Sequence, residues 1–254
     1  MGMKKMLFCI FLACVFLCSC SQKEEKNEVA FSHGEGESIF LGSIAAVEGE
    51  TVFLVGERDT GLIALSLEGL EITDKTGKEM EKEELCGGML VQVVYDGAIM
   101  ESYPGRLSSP KQLSVIKQEE DIVGFYRQVI RDIYETDQVL NNGTYIAFDL
   151  TKVNYLSDAQ KDALVYLAAL EFQKESLLGT MESLTEEGYI DGDNYVFEDG
   201  ILIKIEEQRG NKSGKFLFDI LKWKSGKGAV LWKDCKASLD GEKYSYEIGD
   251  RGVS

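Results

Sequence analysis

From Ser38 to about Ile116 apolar and polar positions alternate in short runs broken by glycine and charge, the signature of β-strands. IFLGSIAAVEG and TVFLVGE are separated by Gly49-Glu50, which predicts a hairpin, and LIALSL follows. In GMLVQVVYDG, Leu90, Gln92 and Val94 alternate against Val91, Val93 and Tyr95, and a last strand is expected near QLSVIK. Five short strands in some 80 residues predict a small closed barrel, because closure removes exposed edges.

After Lys117 the period changes. Ile122, Phe125, Tyr126, Val129, Ile130, Ile133 and Tyr134 lay one apolar stripe along a helix, with acidic residues at its start. TYIAFDL reads as a strand. Ser157 and Gln160 form a capping-box signature for a helix running to about Lys174, apolar on most sides and so expected at the centre. Thr180 to Gly188 predicts a short helix, and the remaining runs, YVFEDGILIKIEE, GKFLFDIL, GAVLWKDCKASL and KYSYEIG, read as strands. Helices first and an antiparallel sheet after them make an α+β domain over 118–254. In residues 229–239 the odd positions are the better core, which turns Cys235 inward and Trp232 to the other face.

The first residues follow another pattern. Lys4 and Lys5 precede thirteen apolar residues, Met6 through Cys18. As a helix that run spans roughly 20 Å, short of the ~30 Å bilayer core, so it reads as a secretory signal over 1–19 and not as a transmembrane anchor. It ends Leu17-Cys18-Ser19-Cys20, which resembles the bacterial lipobox in Leu17, Ser19 and Cys20 and departs from it at Cys18. The resemblance implies that the Cys20 thiol receives a diacylglyceryl group and becomes the mature N-terminus; two acyl chains anchor stably where one is marginal. Residues 20–37 then form the lipidated cysteine and an acidic tether. The expected location is the extracytoplasmic face of the cell membrane.

Two further stretches carry resemblances. VQVVYDGAIMESYPGRLSSPKQLSVI, through Glu101, Ser102, Tyr103 and Pro104, is similar to the end of the OB-like domain of small Gram-positive surface lipoproteins of unknown function. This implies an OB-like barrel over 38–117. Lys222, Trp223, Ser225, Gly226, Gly228, Ala229, Asp234, Cys235 and Ala237 resemble a module found beside other surface proteins of clostridial gut bacteria. Neither resemblance implies an activity. The fold expected is therefore a small OB-like barrel followed by helices packed on an antiparallel sheet.

Charge and residue inventory narrow the chemistry. The chain has 27 basic and 44 acidic residues; removing the leader with Lys4 and Lys5 leaves a net charge of −19. Such an anion repels phosphate backbones, so nucleic acid is not an expected partner. The single histidine, His33, lies in the tether, which leaves no Ser-His-acid triad, Cys-His dyad or His-rich zinc site in the folded part. Asp191, Asp193 and Asn194 resemble the start of a calcium loop, but Tyr195 and Val196 stand where Asp/Asn and Gly belong. GNKSGKF (210–216) lacks the spacing of a phosphate loop. Cys86 and Cys235 are read as buried free thiols. No metal or cofactor is expected.

The function expected is a membrane-anchored lipoprotein that binds a surface protein or glycan without catalysis, with Trp223, Trp232 and Tyr103 as candidate contacts. The alternative is a carboxylate-dependent hydrolase acting on cell-wall polymer, with Glu101 beside Tyr103 as the nominated acid.

Overall fold

The computed structural model describes residues 36–57, 60–208 and 214–253; Cys20, His33 and most of the 210–216 loop lie outside them. β1 (Ser38–Glu48) and β2 (Thr51–Gly56) form the expected hairpin, its turn at Gly49 with φ of 60°. They are followed by β3 (Leu62–Ser66), β4 (Glu71–Thr73), β5 (Met89–Tyr95), the two-residue strands β6 (Ile99–Met100) and β7 (Arg106–Leu107), and β8 (Gln112–Gln118). Six of these make one sheet in the order β3-β2-β1-β5-β8-β4, antiparallel except for the parallel pair β4–β8. Its two end strands, β3 and β4, are consecutive in the chain, so the sheet curls around a core that includes Phe40, Leu54, Val93 and Leu113.

The second half opens with α1 (Ile122–Glu135), whose N-terminus is capped by Asp121 accepting from the Gly124 amide. The helical stripe falls as expected: Ile122, Phe125, Tyr126, Val129, Ile130 and Ile133 are all buried. Its first turn holds no acid, contrary to expectation; the acids precede the helix. β9 (Tyr145–Lys152) leads to α2 (Asp158–Phe172), where the Ser157–Gln160 capping box is formed in both directions. β10 (Glu175–Leu178), α3 (Met181–Glu186), β11 (Gly200–Glu207), β12 (Lys215–Ser225), β13 (Gly228–Asp240), β14 (Lys243–Glu247) and β15 (Asp250–Val253) complete the chain. The second sheet runs β10-β9-β11-β12-β13-β14, with β15 also beside β13.

This sheet is mixed, not antiparallel as expected. β9 lies parallel to both β10 and β11. The reason is α2: a helix after β9 returns the chain to the same end of the sheet, and a strand after such a crossover runs parallel. The fold class is α+β, with more strand than helix.

The core runs across the 117/118 boundary expected from the sequence. Ala45, Ala46, Phe53, Val55 and Leu62 from the first sheet share one cluster with α1, α2 and the facing side of the second sheet. A register shift between Ile44 and Ala46 lets β1 serve both cores, Ile44 facing the curled sheet and Ala46 the helices. Glu48 on β1 bonds Arg127 on α1, and Arg127 and Arg131 both bond Glu171 on α2.

Candidate functional site

Both tryptophans are buried. Trp223 is 8% exposed, packed with Leu184, Phe197 and Leu202 on one face of the second sheet; Trp232 is 3% exposed in the main core on the other. Trp232 was expected on the opposite face from Cys235, and the two share a core because of a bulge. Phe218 pairs with Cys235 and Ile220 with Trp232, so Lys233 and Asp234 together oppose Asp219. Asp234 takes φ of 52°, its amide donating to the Asp219 carboxylate at 2.8 Å. The extra residue inverts the alternation, and Val230, Trp232, Cys235 and Ala237 all point into one core. Neither tryptophan is available as a ligand contact.

The motif around Trp223 is accounted for by packing. Lys222, fully buried, follows Phe216, Phe218 and Ile220 on the face of β12 that meets α1. It arrives where the helix ends, and its Nζ donates to the carbonyls of Tyr134, Thr136 and Asp137. Lys224 donates to the carbonyls of Asn142, Phe197, Glu198 and Gly200, and Lys174 to those of Asn141 and Gly143. Three lysines thus hold the 134–143 loop through its own backbone.

Of the thiols, Cys235 is buried and free, and burial pushes it up to about 11. Cys86 is free but exposed, contrary to expectation. It lies on the turn before β5, beside Gly87 and Gly88, and its sulfur donates to the Gln118 side chain at 3.4 Å. Asp191 accepts from the amides of Asp193 and Asn194 and from the Asn194 side chain, which makes 191–196 a self-bonded turn. Among the described residues no cluster of His, Cys, Asp and Glu is placed to hold a metal.

Tyr103 remains open. β6 and β7 form a small hairpin whose base is tied by Asp96, which accepts from the Ala98 amide and the Ser108 hydroxyl. Its tip is clamped to β3: the Gly105 amide donates to Leu62 and the Ala64 amide to Gly105, both at 2.9 Å. A Cβ at Gly105 would come within 2.9 Å of the tip of the Ile63 side chain, so the approach is close. The Tyr103–Pro104 peptide is cis. Tyr103, one of the candidate contacts, reaches α2. Its ring meets Tyr166 edge-on at 5.6 Å, and its hydroxyl donates to the Asp162 carbonyl at 3.4 Å. It is still 66% exposed, beside Met100 at 50% and Ile99 at 37%. These side chains, with Leu62, Ile63, Glu101 and Asp162, line a cavity of about 360 Å³.

A second cavity, about 340 Å³, lies where β1 meets the first turns of α1 and α2, with Glu119, Glu120, Asp121, Tyr155 and Gln160 on its wall. Burial holds the Asp121 carboxyl above its ordinary range, against the Gly124 amide and Arg127. All three carboxylates have partners: Glu119 bonds Lys117, Glu120 accepts from the Tyr244 hydroxyl and Asp121 caps α1. Among the described residues no helix is long and apolar enough to cross a membrane.

Sequence reasoning named Tyr103, but not its apolar neighbours Ile99 and Met100 nor Asp162. The signal was present in AIM before ESYP, an apolar run too short for a core strand. Compared with known proteins, the chain matches no family model and no curated protein.

Proposed function

We propose that the chain is a lipid-anchored lipoprotein of the extracytoplasmic membrane face, held through Cys20, whose folded part binds a partner without catalysis. The observation that carries the binding reading is the exposed hairpin. Three large side chains, Ile99, Met100 and Tyr103, stand together in water on a segment clamped by backbone hydrogen bonds. A contiguous apolar surface on a rigid support is suited to recognition. The curled first sheet is read as OB-like: β1, β2 and β3 form a meander, β5 and β8 follow on the other side of β1, and β4 adds in parallel to β8 at the far edge.

The test is affinity capture from intact cells with the full lipidated protein. Tyr103→Ala should lose the captured partner while the far-ultraviolet spectrum and melting temperature stay unchanged. Capture that survives the substitution removes the hairpin from the reading. Palmitate labelling of the wild type, absent from Cys20→Ala, tests the anchor; equal labelling of both refutes it.

The cavity beside Asp121 favours one other reading, the carboxylate-dependent hydrolase. Burial raises the Asp121 carboxyl, the direction in which a general acid is tuned. That reading stands only if the wild type digests wall polymer and Asp121→Asn abolishes the digestion in a protein that still folds.

A further inference from the structure

The Tyr103 hairpin also carries information about the kind of group it receives. Its cavity is lined both by the apolar side chains of Ile99 and Met100 and by the acids Glu101 and Asp162. No lining residue is basic. Among the described residues neither acid side chain carries an ion pair or a hydrogen bond; the Tyr103 hydroxyl bonds Asp162 through its backbone carbonyl, not its carboxylate. Burial and the neighbouring Asp158 both push the Asp162 carboxyl upward, so an arriving cation would relieve the second effect and compensate the first. Tyr103 supplies an aromatic ring to the same cavity and is 66% exposed, even though it forms a T-shaped pair with Tyr166.

An apolar wall, an aromatic face and two unpaired carboxylates together match one chemical shape: a flexible aliphatic stem ending in an ammonium group. We propose that this cavity receives a lysine side chain of a peptide segment. The stem lies along Ile99 and Met100, and the ammonium sits over the Tyr103 ring within reach of Asp162 and Glu101. A neutral sugar would use the ring but leave both acids unpaired, and an anion would be repelled by them. The net charge of −17 draws basic segments toward the surface generally, and this cavity gives one of their side chains a seat. The inference rests on the reading of the hairpin as the partner-binding face.

The experiment is a saturation-transfer NMR titration of the full chain in detergent, using the blocked tripeptide Gly-Lys-Gly and its Nε-acetyl-lysine counterpart. Acetylation removes the charge and keeps the stem. The lysine peptide should bind at least about tenfold more tightly than the acetylated one, a difference within reach of a combined cation–π and ion-pair contact. Tyr103→Ala and Asp162→Asn should each weaken the lysine peptide severalfold, and salt should weaken it in the wild type. Equal binding of the two peptides, or binding indifferent to both substitutions, overturns the proposal. If the lysine peptide fails to bind while Tyr103→Ala still abolishes capture from cells, the ligand class falls and the binding face stands. If Tyr103→Ala leaves capture intact, the binding face itself falls.

Discussion

The ammonium nitrogen of Lys222 lies 2.7 Å from the carbonyl oxygen of Thr136, at the C-terminus of α1. A helix end leaves its last carbonyls without partners, and this one is sealed from inside the core. The ammonium also stands 5.5 Å from the centre of the Tyr134 ring. Burial pushes Lys222 down to about 8, with Asp137 opposing, so it is charged at pH 7. Lys222→Met keeps the stem and removes the ammonium's three hydrogen bonds; the Tyr134 and Asp137 carbonyls keep the Asn141 side chain and the Leu140 amide, and the Thr136 carbonyl loses its lysine partner. The expected cost is about 2–3 kcal/mol, read from the midpoint of urea unfolding at pH 7. A methionine variant as stable as the wild type would show that the site gains as much from losing a buried charge as it loses in hydrogen bonds.

The burial of both tryptophans makes an optical prediction. Trp223 and Trp232 should emit at short wavelength, and acrylamide should quench them severalfold less than in the urea-unfolded chain. Trp232→Ala should cost about 3–5 kcal/mol, because it leaves a large cavity in the main core. Strong quenching in the folded protein would place an indole in water and reopen the tryptophans as contacts.

The bulge at Asp234 separates side-chain chemistry from backbone need. A left-handed φ of 52° is tolerated by aspartate, is natural to glycine and is strained for a β-branched residue. Asp234→Gly should stay within about 1 kcal/mol of the wild type, whereas Asp234→Val should cost about 1–2 kcal/mol or more. Thermal melts of the two variants give the comparison. A valine variant as stable as the glycine one would mean that β13 has shifted register and no longer needs the bulge.

That residue also marks where the sequence ceases to be legible. Helix positions could be read because their signals are local: the Ser157–Gln160 box closes within one turn, and the stripe from Ile122 to Ile133 lies on one helix face. The β1–β2 hairpin was equally local, set by Gly49. Strand faces were not, because one inserted residue reverses every position beyond it, and nothing in LWKDCKA marks Asp234 as the insertion. β10 was missed for a related reason. Its four residues, ESLL, have no alternation of their own, and they become a strand only because α2 delivers them beside β9. At the candidate site the sequence carried Tyr103 as a motif residue. Asp162 is 59 residues away, and only the packing of the hairpin against α2 joins them.

The network that joins the halves predicts a pH dependence. Burial of Glu171 would raise its pKa, but hydrogen bonds from Arg131 and Arg127 outweigh it and hold the carboxyl below its ordinary range. A carboxylate with a lowered folded-state pKa contributes stability above its unfolded value, about 4.3, and loses it as pH falls through the folded value. Arg127 bonds Glu48 on β1 as well, so the same network spans the first sheet and both helices. Glu171→Gln keeps the shape and removes the charge. At pH 7 it should lower stability by about 1.5–3 kcal/mol, the range for hydrogen bonds to a charged group. The difference from wild type should shrink as pH falls below about 4, where the wild-type carboxyl takes up its proton. Urea denaturation of both proteins between pH 3 and pH 7 measures it. A constant difference across that range would assign the effect to packing, and an increase toward low pH would reverse the sign of the linkage.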